Sequence, residues 1–311
     1  MKHAFCDVPI KSTTSHIAGL AVGLVAVSFA GILIRLCGMN PFAISALRTI
    51  AGGLILLPFA LKHMMRDFPR LTRREWLLLI GAGLLMAIHF ITWVAAVFIT
   101  KVGSAMMIFG AQPIFAGIVA HFFLGEKFRR SAAVALAVAL VGIGIVAAND
   151  YTQKPAAAVG VLLALVGAIT MGSILCVAKA LRRKMHIMSY ACSMYLIAGL
   201  LTAPGLLFIT GEIHGYTGGM WFFLALIIIV PQLTGHTLLN WATKYFKAFT
   251  VNLSILIEPI LATVLAIIIL GERQNFIFLI GGVFILGGIT YHLICERRTR
   301  RPAQGPVTGG P

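Results

Sequence analysis

The sequence predicts an all-α membrane protein: ten transmembrane helices arranged as two inverted five-helix repeats. Three observations carry that expectation. Of its 311 residues, 59% are hydrophobic and only 11% charged, with a mean hydropathy of +0.97, whereas a soluble domain carries roughly 25% charged residues. Ten apolar runs follow one another, each close to the ~20 residues needed to cross a ~30 Å hydrocarbon core. Finally, the same residues recur at a constant spacing of 146 positions.

The apolar runs lie at about 16–36, 41–61, 76–97, 103–124, 131–148, 157–178, 188–209, 220–241, 249–270 and 275–294. A cleaved signal peptide is the alternative for the first, but that run is long for such a segment and no A-x-A-like site follows it. Residues 1–15 then form a cytoplasmic N-terminal segment, 16–148 the first repeat, 157–294 the second, and 295–311 a basic tail. The tail is polar and rich in Pro and Gly, a composition that cannot bury enough apolar surface to order itself.

Charge sets the expected orientation. The net charge of +16 is not a nucleic-acid patch, because the basic residues sit in short clusters between apolar runs. With the N-terminus inside, 20 of the 25 lysines and arginines fall in inner segments, among them Arg66, Arg70, Arg73, Arg74, Arg182, Arg183 and Lys184. Only Arg35, Lys101, Lys154 and Arg273 fall outside, and Arg48 lies within a run. This is the positive-inside signature. It places both termini in the cytoplasm of a multi-pass protein of a bacterial inner (plasma) membrane. The five cysteines are scattered, without CxxC or metal-ligand spacing, so they read as packing residues.

The repeat is most visible in "MIFGAQPIFAGIVAHFFLGEK" (107–127) and "NLSILIEPILATVLAIIILGER" (252–273). Gln112-Pro113 aligns with Glu258-Pro259, and Gly125-Glu126 with Gly271-Glu272. Gly53 and Gly199, Pro58 and Pro204, Lys101 and Lys247, and Gly142 and Gly288 share the same offset. Five spans per unit is an odd number, so the second copy enters the membrane with opposite polarity. Secondary transporters are built this way, with a site near the midplane between the halves.

Candidate functional residues follow from the cost of polarity in hydrocarbon. Glu258 lies about 13–14 Å into the ninth helix at 1.5 Å per residue, near mid-membrane, and Gln112 reaches a similar depth from the other side. Pro113 and Pro259 each remove a backbone donor and free a carbonyl one turn back, tolerable only beside protein or a wet cavity. Arg48, about 10 Å from the outer end of the second helix, must face the interior, where it could pair with Glu258 or bind an anionic group of the solute. His89 and Trp93, with His236, Asn240 and Trp241, form a polar-aromatic set suited to an amphipathic solute, a cation included. Gln232, Thr234, Asn252 and Ser254 could line the same cavity. Glu126 and Glu272 end the fourth and ninth helices just before the next helix begins, where a carboxylate can cap that helix's first turn. No nucleotide-binding loop or H-E-x-x-H motif is present, so neither metal nor cofactor is expected.

The segment "RREWLLLIGAGLL", the Gln-Pro and Glu-Pro spans ending in "LGE", and the closing "ALVGIGIV" and "ILGGIT" resemble the EamA-type modules of the drug/metabolite transporter superfamily. The resemblance covers about residues 16–294 and implies a two-module carrier of small metabolites, often outward. The chain departs from it at Gln112, where a Glu-Pro pair is frequent. The expected function is therefore a secondary transporter, not an enzyme. It would move a small polar or amphipathic metabolite by alternating access, with protons as the candidate coupling ion and export favoured over import. The alternative is a membrane-embedded enzyme or flippase acting on a lipid-linked substrate. The orientation is directly testable. Cysteines substituted near Lys154 and Glu212 should react with an impermeant maleimide applied from outside, and those near Arg70 and Arg183 should not. Outside labelling near Arg70 would invert the topology.

Overall fold

The computed structural model describes residues 14–124, 130–182, 184–208, 214–242 and 254–300, with backbone alone at 120, 123–124, 175, 179, 240 and 296–300. Ten helical spans are numbered here in chain order. They are α1 (Thr14–Ser28 and Ala30–Cys37), α2 (Pro41–Asp67), α3 (Arg73–Ile99) and α4 (Val102–Phe109 and Gln112–Leu124), followed by α5 (Arg130–Gln153) and α6 (Ala157–Leu181). Then come α7 (Ile187–Leu207), α8 (Gly218–Ile227, Ile228–His236 and Thr237–Ala242), α9 (Ile257–Leu270) and α10 (Phe276–Arg300). Nine of these are long and apolar enough to cross a membrane, and the described part of α9 is a shorter apolar helix. Residues 1–13, 125–129 and 301–311 lie outside the described residues, and with them Glu126, the N-terminal segment and the tail. Asn252 lies outside them too.

Local signals account for the helix ends. Asn40 starts α2 by accepting the Phe42 amide on Oδ1 at 3.0 Å, with Pro41 at the first position, where its missing donor costs nothing. Thr72 and Glu75 form a capping box at the start of α3. Gly38 and Gly271 adopt φ of 66° and 67° to end α1 and α9, the left-handed conformation that glycine takes without a Cβ penalty.

Large apolar side chains face outward, and the charged and polar side chains within the spans are turned into an otherwise apolar core. Leu200 is 74% exposed and Val283 70%, whereas Arg48 is 1% exposed, the arrangement for a helix bundle solvated by lipid. This is a multi-pass integral membrane protein.

Packing follows the duplication. The dominant contacts pair α2 with α7 and α5 with α10, each helix against its own repeat mate, and the first half of α4 meets α9. The α3–α6 contact is answered by α8 against α1. The two-fold relation holds residue by residue. A Cβ at Gly53 would lie 2.7 Å from Leu196, and one at Gly199 would lie 2.6 Å from Ile50. Ile50 and Leu196 are themselves 146 apart. Likewise a Cβ at Gly142 would lie 2.6 Å from the Gly281 carbonyl oxygen, and one at Gly288 would lie 3.0 Å from that of Ala135. Small residues let these helices approach backbone to backbone, the main source of attraction where lipid tails compete for apolar contact.

Each end of the bundle is tied by polar contacts. At one end, Asp67 Oδ2 accepts from the His186 amide at 2.7 Å and the Ser189 hydroxyl at 2.8 Å, locking α2 to α7. Beside them, Lys184 Nζ stands 2.8 Å from Glu75, and the His63 and His186 rings stack 3.7 Å apart. At the other end, Lys101 Nζ donates to Gln153 Oε1 and the Arg273 carbonyl, both at 2.8 Å, and Asp150 accepts from the Thr100 hydroxyl at 2.7 Å.

The glycine contacts yield a paired test. Gly142→Ala should destabilise the bundle by about 1–3 kcal/mol, because the rigid Gly281 carbonyl cannot yield to the new methyl. Gly144→Ala, with nothing within 4 Å of its Cβ, should be neutral or slightly stabilising. Melting in detergent with no difference between the two would contradict the α5–α10 packing.

Candidate functional site

The two proline-bearing spans are interrupted, as the sequence leads one to expect, and at matching places. α4 breaks in a turn at Gly110–Ala111, and Gln112 opens its second half. α9 has a turn at Leu256, and Glu258 lies in its first turn. The breaks meet across the pseudo-two-fold axis: a Cβ at Gly110 would lie 3.2 Å from Pro259 Cγ. The Pro259 carbonyl is taken by the Thr263 hydroxyl at 2.7 Å.

Both signature side chains are buried there, Gln112 at 4% exposure and Glu258 at 8%. Gln112 Oε1 has no hydrogen-bond partner. Among the described residues, Glu258 makes no hydrogen bond or ion pair either. An amide and an acid thus face the bundle interior with unused capacity.

Arg48 does not pair with Glu258. Its Nε donates to Gln232 Oε1 at 2.8 Å, and Gln232 Nε2 returns a bond to the Arg48 carbonyl at 3.1 Å. The guanidinium carbon lies 4.0 Å over the Phe90 ring. The reason is positional: α2 packs on α7 and touches α8, while Glu258 belongs to a helix packed on α4 and α1. Gly52 makes the Gln232 contact possible, since any Cβ there would collide with the Gln232 amide.

His89 and Trp93 come together as expected. His89 Nδ1 lies 2.9 Å from the Gly167 carbonyl. A carbonyl only accepts, so Nδ1 carries the proton and Nε2 is the remaining acceptor of the neutral ring. Phe109 joins the pair, with its ring centroid 5.5 Å from His89 and 4.8 Å from Trp93. Phe109 ends the helical segment just before the α4 break, which links this aromatic wall to Gln112.

The set drawn from α8 divides. His236 ends a π-helical segment and lies within electrostatic reach of Arg48 and His89. Trp241 points elsewhere, its ring 5.4 Å from that of His16 and against Gly19 of α1. The Asn240 side chain is outside the described residues. The π-helix at Ile228–His236 contains Pro231, and its extra residue per turn shifts which face of the helix the residues beyond it present. Spacing counted at 3.6 residues per turn cannot place Trp241 correctly.

Glu272 caps a helix, but not the one that follows it. Its Oε1 accepts from the Val102 amide at 2.7 Å and its Oε2 from the Gly103 amide at 3.1 Å, so it caps α4. The left-handed turn at Gly271 redirects the chain and sends the carboxylate across the repeat interface. α10 is capped instead by Asn275, whose Oδ1 accepts from the Phe278 amide at 3.0 Å. Near the same end, a cleft of about 280 Å³ is lined by Arg35, Thr100, Lys101, Asp150, Gln153 and Lys154. It lies two to three helical turns from His89.

The sequence marks Gln232 only as a residue that could line the cavity, and it does not single out Phe90 or Phe109. The adjoining Pro231 was a usable signal for Gln232, since a Pro-amide pair inside an apolar run repeats the theme of Gln112-Pro113. The aromatic residues gave none in spans so rich in them.

A bundle of two inverted five-helix units with interrupted helices meeting at its centre has an architecture that recurs among membrane transporters. Consistent with it, the model of the EamA-like transporter family matches residues 14–148 and again 158–293. The chain belongs to that family and is a membrane transporter. It is 29% identical to an uncharacterized transporter of Clostridium kluyveri over 80% of this chain and 82% of that one. With YdfC, an uncharacterized transporter of Bacillus subtilis, it shares 26% identity over 91% and 90%. It is also 24% identical to a probable terminal-alkyne amino-acid exporter of Streptantibioticus cattleyicolor, over 66% of this chain and 68% of that one. A solved crystal structure shares the fold, with a TM-score of 0.63 and 18% identity over 93% of this chain and 100% of that one.

The capping geometry predicts that Glu272→Ala lowers stability by about 1 kcal/mol, the typical loss of a helix cap. An unchanged melting temperature would mean that the α4 amides are satisfied by other means.

Proposed function

We propose that this chain is a secondary carrier that exports a small polar or amphipathic metabolite by alternating access, with Glu258 as the proton-coupling group. It would work in a bacterial inner membrane with both termini in the cytoplasm. The observation that carries the reading is the pair of unpartnered polar groups, Gln112 and Glu258, at helix interruptions that touch across the two-fold axis. A carboxyl in apolar surroundings favours its neutral form, and a polar or cationic neighbour favours the carboxylate. Movement of one half against the other exchanges those surroundings and so links proton uptake to solute release. The outward direction is supported by the relative described as an amino-acid exporter, and the solute class by the polar-aromatic wall of His89, Trp93 and Phe109.

Glu258→Gln tests the coupling, because Gln112 provides a precedent for an amide in the repeat-related position. A melting-temperature screen of the purified protein against amino acids, nucleosides, cofactors and organic ions identifies a solute to follow, since ligand binding raises apparent stability. Flux of that solute into proteoliposomes is then measured against pH. The variant should melt like the wild type yet lose flux or its pH dependence. Wild-type rates and pH profile would overturn proton coupling through Glu258. Unfolding of the variant would assign the glutamate a structural role.

A further inference from the structure

Arg48 has an unusual electrostatic environment. It is 1% exposed, and among the described residues its side chain makes one hydrogen bond, from Nε to a neutral amide, that of Gln232. Among the described residues, its two terminal nitrogens have no acceptor. The titratable groups within its electrostatic reach are Tyr195, His89 and His236, none of them a carboxylate. A buried guanidinium without a counter-charge is costly, and removing a partner from such a pair typically costs several kcal/mol. The remaining contact, the Phe90 face at 4.0 Å, offsets only part of that cost.

Orientation adds to this. Gln232 occupies the Nε edge and returns a bond to the Arg48 backbone, so the side chain is held in place. The edge formed by the two terminal nitrogens remains for a planar, two-oxygen acceptor, the geometry in which arginine binds carboxylates. The neighbouring side chains are aromatic: the Phe90 ring lies 5.2 Å from His89, which in turn packs on Phe109. A single fixed cation matches one negative charge. A phosphate dianion would call for a second cation, and a cationic solute would be repelled.

We propose that the transported solute is a small amphipathic carboxylate monoanion, with Arg48 receiving its carboxylate end-on and the Phe90–His89–Phe109–Trp93 wall holding its apolar body. This rests on the carrier reading above and narrows it, selecting anions over the cations that an aromatic wall alone would also suit. Gln232 is then a positioning residue, fixing the guanidinium without touching the solute.

The test compares matched probes on the full-length protein in detergent: acetate, benzoate, phenylacetate and indole-3-acetate, each against its primary amide, with benzylamine and inorganic phosphate alongside. Binding is read by calorimetry and melting temperature. At least one carboxylate should bind about tenfold or more tighter than its amide, benzylamine should not compete, and phosphate should bind more weakly. Arg48→Gln should abolish the carboxylate–amide difference, and Arg48→Lys should reduce carboxylate affinity about tenfold by losing the two-pronged contact. Because Arg48→Gln can fail to fold, Gln232→Leu gives a second reading: it should weaken carboxylate binding while leaving amide binding unchanged. Amides or benzylamine binding as well as every carboxylate would overturn the proposal, as would tighter binding of phosphate or full carboxylate affinity in a folded Arg48→Gln. Flux separates the two readings. Carboxylates that bind through Arg48 but never cross proteoliposomes would leave Arg48 standing as the carboxylate-binding group and defeat the carrier reading. Transport of neutral or cationic solutes without carboxylate discrimination would do the reverse.

Discussion

A helix interrupted within a bilayer exposes backbone groups that hydrocarbon cannot satisfy. Two such interruptions, at Gly110–Ala111 and at Leu256, organise the rest of this bundle. Neither can face lipid, so the interruptions of α4 and α9 turn toward each other, while the opposite face of α9 stays outside, with Ile260 48% and Ile268 72% exposed. Glycine then sets how closely the helices can draw in. Gly53 and Gly199 seat α2 on α7, and Gly142 and Gly288 seat α5 on α10. The Thr263 hydroxyl and the Glu272 carboxylate satisfy backbone groups near the interrupted core.

The duplication is preserved in packing and lost in charge. Contacts between apolar side chains and glycine backbones obey the two-fold relation almost residue by residue, because the same close approach is needed on both sides. Charged and polar residues do not obey it. Gln112 has Glu258 as its repeat mate, and Arg48 has uncharged Met194. A symmetric acid pair at the centre would raise the cost of ionising either member. One acid and one amide avoid that repulsion. The buried arginine does not pair with the acid and is held instead by Gln232.

The polar closures at the two ends bear on movement. Asp67, His186 and Ser189 join α2 to α7 at one end, and Lys101, Gln153 and Asp150 join α4, α5 and the α3–α4 turn at the other. Hydrogen bonds to charged groups are each worth about 1.5–3 kcal/mol net, so each of these closures is a modest share of the bundle's stability. The glycine-mediated contacts between them are rigid, which favours motion of whole units over local deformation.

The sequence by itself determined the membrane class, the number and approximate limits of the spans, the inverted repeat and the two helix breaks. Each is written in a local quantity: apolar run length, a constant offset, or a proline that removes a donor. It also identified Glu258, Gln112, His89 and Trp93 as buried polar and aromatic groups, because polarity in hydrocarbon is costly wherever the helix happens to face. Tertiary structure decided the partnerships. Arg48 pairs with Gln232 rather than Glu258, Glu272 caps α4 rather than α10, and Trp241 packs on His16. Each depends on which helices meet and on how they are rotated. The π-helical segment at Ile228–His236 alters that rotation partway along α8, and the left-handed turn at Gly271 redirects a carboxylate into the other repeat. Both are local changes in backbone geometry whose consequences appear only across the interface between distant segments, beyond the reach of residue spacing.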